Sequence, residues 1–166
     1  EAWKKLDELH ADDAIRKNTG AVEALSKPHK SRPSPSDYLD KDYIDNHLKK
    51  FDDGAVRFTT DGYATLGLDD AFVMPKSEFD KLMKETGGDL TQIEKKLGLK
   101  SGKLAEKKKK IAWIKKEDCG EIKIPSGNER GADADLWIPG GKTYGGYSEG
   151  IMDLSNKNIP HKLFPF

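Results

Sequence analysis

Seven glycines fall between Ile124 and Leu154, in IPSGNERGADADLWIPGGKTYGGYSEGIMDL. A chain that spends glycine this densely commits the region to tight turns and close backbone approach, leaving only short apolar runs between them to act as strands. Those runs bracket Asn128, Glu129, Thr143, Tyr144 and Glu149. The pattern reads as the floor of a site, with polar groups fixed between places where backbone can approach a ligand. If it is a floor, reactive partners belong upstream, and His47 and Arg57 answer to that description.

The chain has 166 residues, 35% of them apolar, enough for one core with a leading appendage and too short for two ordinary domains. Zero formal net charge with 35% charged residues describes neither a globally basic nucleic-acid binder nor an acidic tail protein. Locally the balance breaks, with ten lysines between Lys95 and Lys116. That segment reads either as a solvated loop or as a patch facing phosphate. The single cysteine, Cys119, excludes an internal disulfide and a thiolate metal cluster. Its acidic neighbours Glu117, Asp118 and Glu121 give no support to a reactive thiolate. The sequence contains no apolar run near the roughly 18 residues of a membrane span, so no membrane insertion is expected of this fragment. A start without Met or a signal pattern fits a piece released from something longer.

Residues 1–36 read as a helical appendage followed by a Pro-rich linker. Leu6, Leu9, Ile15, Val22 and Leu25 give a loose helical pattern broken at Gly20, and SKPHKSRPSPS then carries no large apolar side chain. The domain proper is expected over 37–166. Asp40 is placed to cap a helix with Ile44, Leu48 and Phe51 on one stripe, stopped by Gly54. His47 sits at the border of that stripe, where a hydrogen-bonded packing histidine and a catalytic one are both readable. In the following AVRFT strand, Val56 and Phe58 share one face and Arg57 takes the other. Further strands are expected at Ala71–Met74, Ile111–Ile114, Glu121–Ile124, Asp135–Ile138 and Gly150–Leu154. Helices are expected after Pro75, ending at Gly87 and Gly88, and through Leu90, Ile93 and Leu97, ending at Gly98. The expected class is α+β, with N-terminal helices packed on a mostly antiparallel sheet formed by the C-terminal half.

Three blocks, YLDKDYIDNHLKKFDDGAVRF, AFVMPKSEFDKLM and IPSGNERGADADLWIPGG followed by GGYSEGI, resemble those of a C-terminal toxin module at the tips of bacterial polymorphic toxins. Its carriers include the filamentous-haemagglutinin-like exoproteins of contact-dependent growth inhibition, and the resemblance spans about Tyr38 to Leu154. It implies a secreted or cell-surface exoprotein tip, an enzyme acting in a neighbouring bacterium's cytoplasm, and a cognate immunity protein made by the producer.

Two chemistries fit the candidate residues. Metal-independent RNA cleavage, with transfer RNA as the expected substrate by analogy with other toxin tips, needs a base, an acid and donors around the phosphorane. His47 and Glu149 would exchange protons, Arg57 would clamp phosphate, and Lys142, Thr143 and Tyr144 would donate to it. The alternative is cleavage of NAD at the nicotinamide ribose, with ADP-ribose passed to a protein or to water. Such sites resemble this chain in an early strand bearing Arg and a late Gly-rich turn ending in an acid before a strand. Arg57 would hold pyrophosphate and Glu149 would face the oxocarbenium-like ribose. That pattern also carries a Ser-Thr-Ser strand, which this chain lacks, and it gives His47 no role. Against both stand structural readings: Thr143 and Tyr144 as hairpin-turn residues, Asn128 and Glu129 as caps of local amides, Trp137 as core. No metal or cofactor is expected, since His10, His29, His47 and His161 show no ligand spacing.

Overall fold

A computed structural model describes residues 2–9, 11–60, 65–99, 101–102, 104, 109–132 and 137–165. The N-terminal part folds into short helices α1 (Ala2–Glu8), α2 (Asp13–Arg16) and α3 (Thr19–Ser26). The breaks fall where Asp12 and Asn18 sit, and both side chains cap, accepting from Ile15 N and Ala21 N. The expected break at Gly20 does not occur. Gly20 lies inside α3, where a Cβ would collide with that of Tyr38, so the glycine serves close packing instead of ending a helix.

Helix α4 (Lys41–Lys49) follows a 3-10 turn at Pro35–Asp37. Asp40 occupies the expected cap position in extended conformation, yet its side chain makes no cap hydrogen bond. Gly54 (φ +95°) opens the next strand, and a Cβ there would strike the Ile114 carbonyl across the sheet. Strand β1 (Ala55–Thr60) is followed by β2 (Ala71–Pro75), α5 (Lys76–Thr86), α6 (Leu90–Leu97) and β3 (Lys109–Ile114), then by β4 (Gly150–Met152) and β5 (Lys162–Pro165). Helices α5 and α6 end, as expected, on left-handed Gly87 and Gly98.

The strands form an antiparallel sheet ordered β4-β2-β1-β3-β5, giving an α+β fold. Of these strands, β1 and β2 come from residues 55–75, ahead of the glycine-rich region. Along β1 the ladder to β3 runs from Ala55 opposite Ile114 to Thr60 opposite Lys109, whereas the ladder to β2 stops after Ala55–Pro75 and Val56–Met74. Beyond those two pairs β1 and β2 part, and this divergence opens the site described below.

The expected strand at Glu121–Ile124 is reduced to one bridge, Lys123 to Ile151, because Pro125 has no N–H with which to continue a ladder. The expected strand at Asp135–Ile138 lies partly outside the described residues. Its described end, Trp137 and Ile138, is buried in irregular backbone. Strand β5 carries no burial alternation, all four of its residues being exposed, so the sequence pattern did not announce it.

Three apolar clusters hold these pieces. Phe79, Leu82 and Ile93 of α5 and α6 pack with Val56, Met74 and Ile111 on one face of the sheet. Ala55, Ala71, Val73, Ile114, Met152 and Leu154 close around Phe51 on the other. The third cluster joins Leu6, Leu9, Ile15, Ala21 and Leu25 to Leu39, Ile124, Trp137 and Ile138. The expected boundary near Asp37 therefore falls inside a shared core. The Pro-rich stretch is also tied in: Arg32 lies over the Trp137 ring at 4.4 Å and donates to the Gly127 carbonyl at 2.6 Å.

Candidate active site

Where β1 and β2 separate, a cleft of about 280 Å³ opens, walled by Val56, Phe58, Phe72, Met74, Leu97 and Trp137. Its polar lining comes from Arg57, Lys142, Thr143, Tyr144 and Glu149. Five of the eight residues singled out in the sequence thus meet in one place. Glu149 is the only carboxylate among the described lining residues.

Glu149 immediately precedes β4, which pairs with β2, so sheet register brings a residue from late in the chain opposite the strand pair formed by residues 55–75. The residue is partly buried with its carboxyl withdrawn from solvent, and no described group donates to it. Burial pushes that carboxyl up to about 7, and the negative charge of Glu129 adds to the rise. A glutamate so placed exchanges protons near neutral pH.

Arg57 emerges from β1 on the face opposite Val56 and Phe58. Its Nε donates to the Leu66 carbonyl at 3.1 Å and Nη1 to the Phe72 carbonyl at 2.7 Å. The side chain thus occupies the gap left where the β1–β2 ladder stops, satisfying a β2 carbonyl that β1 no longer reaches. Burial lowers its affinity for the proton while Asp70 opposes that, and two of its five N–H groups are spent on these carbonyls.

Lys142 enters a 3.5 Å ion pair with Asp12 of the N-terminal segment. The Thr143 hydroxyl is committed to the turn: it donates to the Lys96 carbonyl at 2.9 Å and accepts from Tyr147 N at 3.2 Å. Tyr144 lines the cleft and is partly buried against the N-terminal cluster.

His47, Asn128 and Glu129 are not among the lining residues. His47 is 3% exposed, between Tyr43, stacked at 6.4 Å, and Phe51 at 6.3 Å. Its Nε2 meets the backbone carbonyl of Glu149 at 2.8 Å, so it bonds to the main chain of that residue and not to its carboxylate. Desolvation holds its pKa below the ordinary histidine value, the bond to Glu149 opposing. Glu129 spends its carboxylate on Ser126 N, Ser126 Oγ and Gly127 N. Asn128 pairs with the backbone of Arg32 through both ends of its amide. These are the local-cap roles that stood beside the catalytic ones in the sequence.

Three residues of consequence escaped the sequence reading. Phe72 walls the cleft from β2, and Lys50 and Glu78 grip Ser148, the former at 3.1 Å to its hydroxyl and the latter accepting its N–H at 2.7 Å. Lys50, one turn beyond His47, could have been found from helical spacing. Glu78, 70 positions away, had no such signal. Lysines 100, 103, 107 and 108 lie outside the described residues, and none of lysines 95, 96, 110, 115 and 116 lines the cleft. Among the described residues no group of His, Cys, Asp and Glu is arranged to hold a metal ion, and no helix is long and apolar enough to cross a membrane. The chain matches no protein-family model and no curated protein.

Proposed function

We propose that this cleft cleaves the bond between nicotinamide and ribose in NAD, passing ADP-ribose to a protein or to water, within a toxin tip of the polymorphic class. The observation that carries the reading is the lining itself: among the described residues one carboxyl, Glu149, shares a largely apolar lining with Arg57 and Lys142 as the cations, and His47 is not part of it. Breaking this bond gives its electron pair to the pyridinium nitrogen, which leaves as neutral nicotinamide. The positive charge moves to the ribose, where one ionised carboxylate stabilises it. An attacking water then gives its oxygen to C1′ and its proton to the carboxylate or to solvent. The departing group is neutral, so no second proton donor is required. Trp137, Tyr144, Phe58 and Phe72 offer surface for aromatic rings, and Arg57 with Lys142 offers charge for the pyrophosphate.

A second reading, metal-independent RNA cleavage, is favoured by the carboxyl raised to about 7, a value suited to moving protons at neutral pH. It needs a second group to protonate the leaving oxygen, and with His47 withdrawn the described lining supplies only Lys142, Tyr144 and Arg57. Delivery into a neighbouring bacterium and neutralisation by an immunity protein rest on the toxin resemblance. The test is parallel incubation of the purified chain with NAD and, without metal, with total bacterial RNA. Nicotinamide release that Glu149→Gln abolishes is expected. Discrete RNA fragments without nicotinamide release would select the second reading.

A further inference from the structure

The Glu149 backbone is held from three directions. Its N–H donates to the Gly141 carbonyl at 2.8 Å and its carbonyl accepts from His47 Nε2 at 2.8 Å. The preceding Ser148 is fixed by Glu78 through its N–H and by Lys50 through its hydroxyl. His47 in the last turn of α4 and Lys50, the C-cap that follows it, lie three residues apart, so one helix end grips two consecutive residues. The grip is close-packed. A Cβ on Gly141 would stand 2.7 Å from His47 Nε2, so the ring lies against bare backbone at a position that admits only glycine. On the other side of the ring, Nδ1 is buried with no hydrogen-bond partner among the described residues. A buried ring nitrogen left unpaired is an unfavourable feature that packing alone does not require. A neutral ring with its proton on Nε2 makes the one bond available and leaves an acceptor at Nδ1; a charged ring would bury an unpaired N–H⁺ beside Lys50 and Lys142, with Glu78 the opposing charge and Tyr43 stacked on the ring.

We infer that His47 is a positioning residue: as a neutral Nε2–H donor it fixes the main chain from which the Glu149 carboxyl enters the cleft, and it takes no part in proton transfer. This rests on the reading of Glu149 as the reacting carboxyl, but its consequences can be read without turnover. Without the bond, the Glu149 carbonyl loses its seat and the side chain can swing toward water. The carboxyl should then titrate in the ordinary range. A glutamine at 47 extends an amide N–H to about the place of Nε2, whereas asparagine is one methylene too short.

The experiment follows the Glu149 carboxyl by carbon-13 NMR of glutamate-labelled chain, assigned with Glu149→Gln, in wild type, His47→Ala, His47→Gln and His47→Asn. Thermal melts and NAD turnover are measured on the same samples. Wild type and His47→Gln should titrate near 7, and His47→Ala and His47→Asn should fall toward about 4.3. Where NAD is turned over, kcat should drop about tenfold or more in the latter two with KM nearly unchanged, because the lost interaction acts on the reacting group alone. Unchanged titration and unchanged kcat per folded molecule in His47→Ala, with only a lower melting temperature, would overturn the inference and leave His47 a packing residue. If His47→Ala does not fold, the Gln and Asn variants decide, and equal behaviour of the two overturns it. Altered titration in a chain that leaves NAD intact keeps the positioning role and removes the NAD reading instead.

Discussion

Glu149 pays for its position in the cleft with a raised pKa, and the sign of that shift fixes what its replacement does. With the folded value near 7, the folded protein holds a proton that the unfolded chain releases above about 4.3, so stability falls as pH rises through that window. Glu149→Gln should therefore raise stability at pH 8, by up to about 3–4 kcal/mol, while abolishing activity, read by urea melts and the nicotinamide assay. Opposite signs in stability and activity mark a residue kept for chemistry. Gly54 is the converse, a residue kept for structure. Its φ of +95° and the Ile114 carbonyl facing it leave no place for a methyl group. Gly54→Ala should cost about 2–4 kcal/mol in a denaturant melt, strain and collision together.

At the scale of elements, the site exists because two neighbouring strands stop pairing. Strand β1 keeps six pairs with β3 and two with β2, and Arg57 fills the resulting gap with hydrogen bonds to Leu66 and Phe72. Helix α6 sets the far wall. Asp89 caps its start through Thr91 N and Gln92 N, and the buried Glu94 carboxylate accepts from Gly102 N and Leu104 N, fixing Leu104 in the lining. Asp89→Ala should lower stability by about 1 kcal/mol without altering ligand affinity. Glu94→Ala leaves two amides unpaired and should cost about 2–4 kcal/mol and weaken ligand binding as well, since the wall moves. Comparing melts with ligand titrations for the two variants separates a helix cap from a cleft support.

For the whole molecule, Leu6, Leu9, Ile15, Ala21 and Leu25 share a core with Leu39, Ile124, Trp137 and Ile138, and Asp12 pairs with Lys142 in the cleft. Removing residues 1–36 would bare that core. The truncated chain should lose its cooperative melt or bind a hydrophobic dye, and a truncation that melts like the full chain would show the shared cluster to be energetically idle. The pH dependence of stability also belongs to this scale. His47, its pKa held down by burial, is charged more readily in the unfolded chain, so its contribution is lost as pH falls below about 6.5, while Glu149 acts in the opposite sense up to about 7. The two slopes oppose each other just below about 6.5, where the unfolded histidine begins to charge. His47→Gln removes one of them, and its stability should decline more steeply with rising pH there than that of wild type.

By itself the sequence determined what depends on neighbours along the chain. Gly87 and Gly98 end helices because the left-handed backbone favours glycine, β1 divides Val56 and Phe58 from Arg57 because strand side chains alternate, and the glycine-rich segment contributes the polar lining residues Lys142, Thr143, Tyr144 and Glu149. Tertiary structure decided what depends on distant partners. It set His47 outside the cleft lining, with Nε2 on the Glu149 carbonyl 102 positions away, and took Asn128 and Glu129 out of the cleft to hold loops. It also built the N-terminal helices into the core and formed β5 from residues with no buried face. A hydrogen bond across a hundred residues leaves no periodicity in the sequence, and an exposed edge strand is defined only by the strand it joins.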